Sequence, residues 1–97
     1  MARPNYSDQA KQDLEGIFLH IASDDTVAAE NTVRSIMSAC DLIADMPGMG
    51  RMRPEFSAVM QSFPCGNYVV FYKKHDDTIV VFRIIHASRD IDAITLV

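Results

Sequence analysis

The stretch Tyr68-Val69-Val70-Phe71-Tyr72-Lys73-Lys74-His75-Asp76-Asp77-Thr78-Ile79-Val80-Val81-Phe82-Arg83-Ile84-Ile85-His86 decides how this chain folds. Tyr68–Lys73 is rich in β-branched and aromatic residues, which favour a pleated, half-buried backbone. His75-Asp76-Asp77 breaks the run as a turn. Thr78–His86 resumes it, and its length and apolar character suit a position inside a sheet. The pair reads as an antiparallel hairpin. A turn centred on His75-Asp76 sets Tyr72 opposite Ile79, Val70 opposite Val81 and Tyr68 opposite Arg83. Alternation along the strands then gives two faces. Val69, Phe71, Val80, Phe82 and Ile84 form a uniformly apolar face, assigned to the core. Tyr68, Val70, Tyr72, Val81, Arg83 and Ile85 form the other. One residue more or less in the turn would scramble this pairing.

Upstream of the hairpin, Val59–Phe63 is a third strand candidate, joined to it by the turn Pro64-Cys65-Gly66-Asn67. Before that, Met46-Pro47-Gly48-Met49-Gly50-Arg51-Met52-Arg53-Pro54 packs two prolines and two glycines into a loop of fixed turns. The N-terminal half has helical spacing. Ala10, Leu14, Ile17, Phe18 and Ile21 recur on one face, with Ser7 and Asp8 as start signals, predicting a helix over Asp8–Ala22. Lys11, Gln12, Asp13 and Glu15 fall on its solvated side. Ala29, Val33, Ile36, Met37, Cys40, Ile43 and Ala44 predict a second helix over Val27–Asp45. The short link Ser23-Asp24-Asp25-Thr26 implies an antiparallel helix hairpin. Residues 3–6 suit a short edge strand, because Pro4 is tolerated only at an edge or a strand start. The tail from Arg89 to Val97 reads equally as a short helix or as coil.

The predicted fold is therefore α+β: a short N-terminal edge strand and an antiparallel two-helix hairpin packed on a three-stranded antiparallel sheet. With 97 residues, 48% of them hydrophobic and 23% charged, the chain makes one ordinary globular domain over residues 1–97. No apolar run is long enough to span a membrane, and Met1–Tyr6 lacks the apolar core of a signal peptide, so a cytoplasmic protein is expected. Cys40 and Cys65 have no metal-type spacing and read as free thiols, Cys40 in the core and Cys65 in a turn. No metal or cofactor is expected.

The net charge of −4 is unevenly spread. Residues 1–50 carry three basic and eight acidic side chains, and residues 51–97 carry six and five. That is not the basic footprint of a nucleic-acid binder.

Taken in order, several motifs resemble one family. Pro47-Gly48-Met49-Gly50-Arg51 is similar to the Pro-Gly-x-Gly-Arg loop of ParE toxins, within the RelE/ParE superfamily. Ser7-x-x-Ala10-x-x-Asp13-Leu14-x-x-Ile17 resembles that family's first helix, and Val69-Val70-Phe71-Tyr72 its aromatic strand. Arg83-Ile84-Ile85-His86-Ala87-Ser88-Arg89-Asp90 resembles its closing strand and turn. The resemblance implies the toxin of a type II toxin–antitoxin system that poisons DNA gyrase. It implies neutralisation by a ParD-like antitoxin, often of ribbon-helix-helix type, with operator DNA touched only through that antitoxin. Candidate residues for contacting antitoxin or target are Arg51, Arg53, Tyr68, Tyr72, Arg83, His86 and Arg89.

The alternative within the superfamily is a RelE-type, ribosome-dependent mRNA endoribonuclease. That chemistry needs an acid, a base and cations around the scissile phosphate. Arg51, Arg53, Arg83, His86 and Arg89 are the residues available for it. Three features oppose it: the acidic balance, the lack of a tyrosine after Tyr72, and the predicted placement of Arg83 and His86 on opposite faces. The expectation is a non-catalytic toxin. A repurposed member that only co-represses its operon is a third possibility. Structural roles compete for the same residues. Arg83 suits an ion pair or a stack on Tyr68, His86 a turn, Arg51 and Arg53 a solvated loop, and Arg89 with Asp90 a capping pair. His20 is expected to be exposed and Met37 to lie in the core. Met46, Met49, Met52 and Met60 suit either gap-filling or an adaptable binding surface. The apolar sheet face around Tyr68, Val70 and Tyr72 is expected to need a cover, from the C-terminal tail or from the antitoxin.

Overall fold

A computed structural model describes residues 3–89. Strand β1 (Asn5–Tyr6) leads into helix α1 (Asp8–Ala22), and α2 (Thr26–Asp45) returns alongside it. A short 3₁₀ turn at Pro47–Met49 precedes β2 (Arg51–Met52), β3 (Gln61–Cys65), β4 (Tyr68–His75) and β5 (Thr78–His86). The helices begin where the sequence signals them. Ser7 Oγ accepts from Ala10 N–H at 3.0 Å, and Asp25 Oδ1 accepts from Ala28 N–H at 3.1 Å. Each satisfies one of the N–H groups a helix start leaves unpaired. Ser7 Oγ also donates to Phe82 O at 2.9 Å, tying the cap of α1 to β5.

The sheet has five strands in the order β1-β5-β4-β3-β2. Beyond the expected strands, β2 is an added edge that pairs antiparallel to β3 through Arg51–Ser62 and Met52–Gln61. β1 runs parallel to β5, so the sheet is mixed. β3 lies two residues later than predicted and includes Pro64, which sits past the end of β2 where the edge of β3 carries no strand. Gly66, at φ 58°, makes the tight turn into β4, a conformation that costs glycine nothing.

The hairpin register differs from the prediction. Its turn is Asp76-Asp77, with Asp76 at φ 54° and His75 opposite Thr78. Lys73, Lys74 and His75 therefore continue β4, and Tyr72 faces Val81. A bulge follows: Phe71 faces Arg83, leaving Phe82 as the extra residue. Beyond it Val70 faces Ile84 and Tyr68 faces His86, not Arg83.

The expected core face is also inverted. Val70, Tyr72, Ile79, Val81 and Ile84 pack under the helices with Ala10, Ile36, Cys40, Ile43 and Ala44. Of the predicted core strand residues only Ile84 is there, because the bulge switches parity before it. Phe71 lies in a second cluster with Met60 and Ile85, covered by Phe56 and flanked by Val69. Both faces are apolar because the segment after β2 folds back over the second one, so alternation alone could not choose between them. Val70, Tyr72 and Val81 are already fully buried and need no further cover. Met37, expected in the core, is 42% exposed at the margin of the α2 stripe. Cys40 is buried and Cys65 half-buried, both as free thiols. The tail proposed as a cover, and Asp90 of the capping pair, lie outside the described residues.

Candidate functional site

The Pro47–Arg51 loop is fastened from beneath. Tyr72 is fully buried, and its hydroxyl donates to Pro47 O at 2.8 Å. Gln61 Nε2 donates to the same carbonyl at 3.0 Å. Gly50 has no room for a side chain, since a Cβ there would overlap the Tyr72 hydroxyl and stand 2.7 Å from its Cζ. Burial pushes the Tyr72 phenol above its ordinary value, partly opposed by the Gly50 backbone. Tyr72 is thus a support for the loop and not a contact residue, which corrects the reading from sequence. Residue parity put it on an open face; the helices cover that face.

Arg53 is likewise occupied. Its Nε lies 2.9 Å from Glu55 Oε2, and its Nη1 donates to Ser62 Oγ at 3.2 Å. The guanidinium also sits over the Phe56 and Phe71 rings, at 5.3 and 5.4 Å from their centroids. It joins the folded-back segment to the sheet. The Glu55 carboxyl is held below its usual range, first by its own backbone N–H and then by Arg53. Arg51 is exposed on β2 beside the half-exposed Met46, Met49 and Met52.

Arg83 is committed to Asp13. The carboxylate accepts from Arg83 Nε at 2.8 Å and Nη2 at 3.1 Å, and from the Ile84 backbone N–H at 3.0 Å. β1 pairs with β5 only at Val80 and Val81, so Ile84 has no strand partner on that side. Asp13 supplies the missing acceptor from α1 and neutralises the neighbouring guanidinium at once. The pair is mostly enclosed, with side-chain exposures of 17% for Arg83 and 11% for Asp13. The helical pattern alone puts Asp13 on the solvated face of α1, which the structure corrects. Helical spacing shows which side of α1 meets α2, but not that the end of β5 lies against a second side.

At that end of β5, the Tyr68 and His86 rings meet edge-to-face at 5.2 Å. His86 Nδ1 accepts from Ser88 N–H at 3.1 Å and lies 2.7 Å from Ser88 Oγ. His86 and Arg89 are exposed, and Tyr68 is half-buried. The seven candidates therefore divide. Tyr72, Arg53 and Arg83 hold the fold together, and the last two end up in different pairs. Tyr68, His86 and Arg89 line a common hollow with His20 and Gly16, two residues that sequence reasoning did not select. Gly16 gave a faint signal as a glycine inside a helix. Among the described residues no group of His, Cys, Asp and Glu side chains is arranged to hold a metal ion.

A fastened Pro/Gly loop, a two-helix hairpin and a sheet closed by a parallel N-terminal strand define a RelE/ParE-like α+β domain. A chain of the chromosomal ParDE toxin–antitoxin system from P. aeruginosa has this fold at a TM-score of 0.76 and 16% identity, covering 91% of this chain and 98% of its own. The solution structure of a conserved hypothetical protein from Helicobacter pylori aligns at a TM-score of 0.47 and 17% identity, over 92% of this chain and 98% of that one. No curated protein matches the sequence. The family model for the ParE toxin of the type II toxin–antitoxin system parDE matches residues 5–91. The chain belongs to the ParE toxin family.

Proposed function

We propose that this toxin arrests growth by binding and poisoning DNA gyrase without catalysing a reaction, and that a cognate ParD-like antitoxin of ribbon-helix-helix type neutralises it in the cytoplasm. The observation that carries the reading is the family match over residues 5–91. The P. aeruginosa structure is described as a ParDE system, and a partner of that kind is carried over to this chain. The commitment of the cations supports a non-catalytic mode. Arg83 is held by Asp13 and Arg53 by Glu55, so two of the arginines available for phosphate chemistry are already engaged. The net charge of −4 also disfavours a ribosome-bound nuclease. No helix among the described residues is long and apolar enough to cross a membrane.

Induced expression tests the reading. Growth arrest with induction of the DNA-damage response and trapped gyrase–DNA cleavage complexes is the expected result, relieved by co-expressing the ribbon-helix-helix protein encoded alongside. Rapid mRNA cleavage with gyrase untouched would move the chain to the ribonuclease alternative. Loss of growth arrest altogether would leave only a co-repressor.

A further inference from the structure

The chain carries its sulfur in six methionines and two cysteines, and the fold treats them very differently. Cys40 is buried and Cys65 half-buried, with its Sγ 3.8 Å from Ser35 O. Burial pushes both thiols up, Cys40 to about 11. The thiolate is the reactive form of cysteine, so at neutral pH neither is an activated nucleophile. Met60 is 1% exposed and packs with Phe71 and Ile85 in the smaller core cluster. Met46, Met49 and Met52, by contrast, are 52%, 43% and 49% exposed. A thioether needs no deprotonation to react, so exposure sets its susceptibility.

Their place matters as much as their exposure. Met46 closes α2, Met49 lies in the 3₁₀ turn and Met52 on β2. Leu42, one turn earlier on α2, is also exposed. Four of the eight large apolar side chains exposed among the described residues therefore fall within residues 42–52. The loop that carries them is fastened by other groups. Pro47 O receives the Tyr72 hydroxyl and Gln61 Nε2, and Met46 O receives Met49 N–H at 3.1 Å. These contacts use backbone oxygens, and none of them uses a thioether. An oxygen added to Met60 would put a polar atom into the core, whereas one added to Met46, Met49 or Met52 meets water.

We propose that Met46, Met49 and Met52 form one reversible oxidation site, where peroxide turns an apolar patch polar and leaves the fold intact. Each sulfur attacks one oxygen of hydrogen peroxide. The O–O bond breaks as the S–O bond forms, and after a proton shift the second oxygen leaves as water. Sulfur has then given up two electrons and become a sulfoxide. A dithiol reductant, working through methionine sulfoxide reductases, reverses the step. It supplies two electrons and two protons, becomes a disulfide and releases the oxygen as water. The surface changes from flexible thioethers suited to apolar contact to dipolar groups that hold water. This goes beyond the growth-arrest reading and does not depend on it.

Peroxide treatment of the full chain, followed by peptide mapping, tests the proposal. Met46, Met49 and Met52 are expected to gain oxygen at least about tenfold faster than Met60, as their exposure dictates. The melting temperature of the product is expected to stay at the wild-type value. Retention on a hydrophobic-interaction column should fall, and return after incubation with the reductases for both sulfoxide epimers and a dithiol. A triple variant, Met46→Leu, Met49→Leu and Met52→Leu, keeps the patch apolar without sulfur, so peroxide should leave its retention nearly unchanged. Met37→Leu, which removes a half-exposed methionine elsewhere on α2, should still show the fall. If the triple variant does not fold, the wild-type map and melting temperature decide. Three results would each overturn the proposal: Met60 oxidised as fast as the three, oxygen entering the cysteines while the three stay unmodified, or a clear loss of melting temperature when only the three are oxidised. An equal fall in retention in the folded triple variant would do the same.

Discussion

Gly16 and Gly50 show how differently one residue type is used. At Gly50 a Cβ would run into the Tyr72 ring, whose hydroxyl anchors Pro47. Gly50→Ala should therefore destabilise the protein by about 1–3 kcal/mol, the usual cost of overpacking. At Gly16 a Cβ would meet open space, so Gly16→Ala should stabilise by about 1 kcal/mol through helix propensity alone. Urea unfolding of both variants checks the opposite signs, and a destabilised Gly16→Ala would refute the open-space reading. Cys40 makes a prediction about pH. Burial, partly offset by the nearby Tyr6 hydroxyl, pushes its thiol up from 9.0 to about 11. The folded state thus holds this proton more tightly than the unfolded one. The resulting stabilisation is complete below pH 9 and is lost as pH rises toward 11. The loss is on the order of 2 kcal/mol. Tyr6, also raised by burial, acts in the same sense at still higher pH. Unfolding free energies at a series of alkaline pH values should fall across this window, and less steeply in Cys40→Ala.

Helix α1 is held to β5 by its first cap and by Asp13, and the second contact is the more demanding. Asp13→Ala removes three acceptor contacts and leaves Arg83 enclosed without a counter-charge. A loss of about 3 kcal/mol is expected, as for other enclosed ion pairs broken on one side. A loss below 1 kcal/mol in urea unfolding would mean that water replaces the carboxylate. This clamp also marks how far the sequence could be read. α1 was legible to the residue, because Ser7 is a cap and the apolar spacing runs unbroken to Ile21. α2 was legible to within one residue at its start. β5 was legible because a nine-residue β-branched run has no helical alternative. The register was not, since Asp76-Asp77 and His75-Asp76 are both plausible turns and nothing local announces a bulge at Phe82. β1 was legible as a short edge strand, but not its parallel pairing with β5, whose residues lie far along the chain; β2 is two residues inside a Pro/Gly loop and carries no strand pattern of its own. In the candidate site, His86 and Arg89 were legible as polar residues at and just beyond a strand end, and both are exposed there. Arg83 takes the ion pair that was one of its two readings, but Asp13 was not legible as its partner, and the supporting roles of Tyr72 and Arg53 depend on neighbours that local pattern does not name.

The distribution of charge over the folded chain carries a further prediction. An acidic toxin should not retard operator DNA by itself, and a shift should appear only when the antitoxin is added; a shift by toxin alone in a mobility assay would contradict the charge argument. The topology has a consequence for synthesis. Thr78 Oγ1 bonds Arg3 O at 2.7 Å, Ser7 bonds Phe82, and Asp13 bonds Arg83, across 75, 75 and 70 residues of sequence. Strand β1 and the clamp on α1 thus have no partner until β5 has been made. Contacts of such long separation form slowly, and on a ribosome they wait for the polymer to emerge. The elements that come first in the domain are the last to be secured. Folding of this domain is therefore delayed until β5 has emerged, and a partner that needs the finished surface meets it only then.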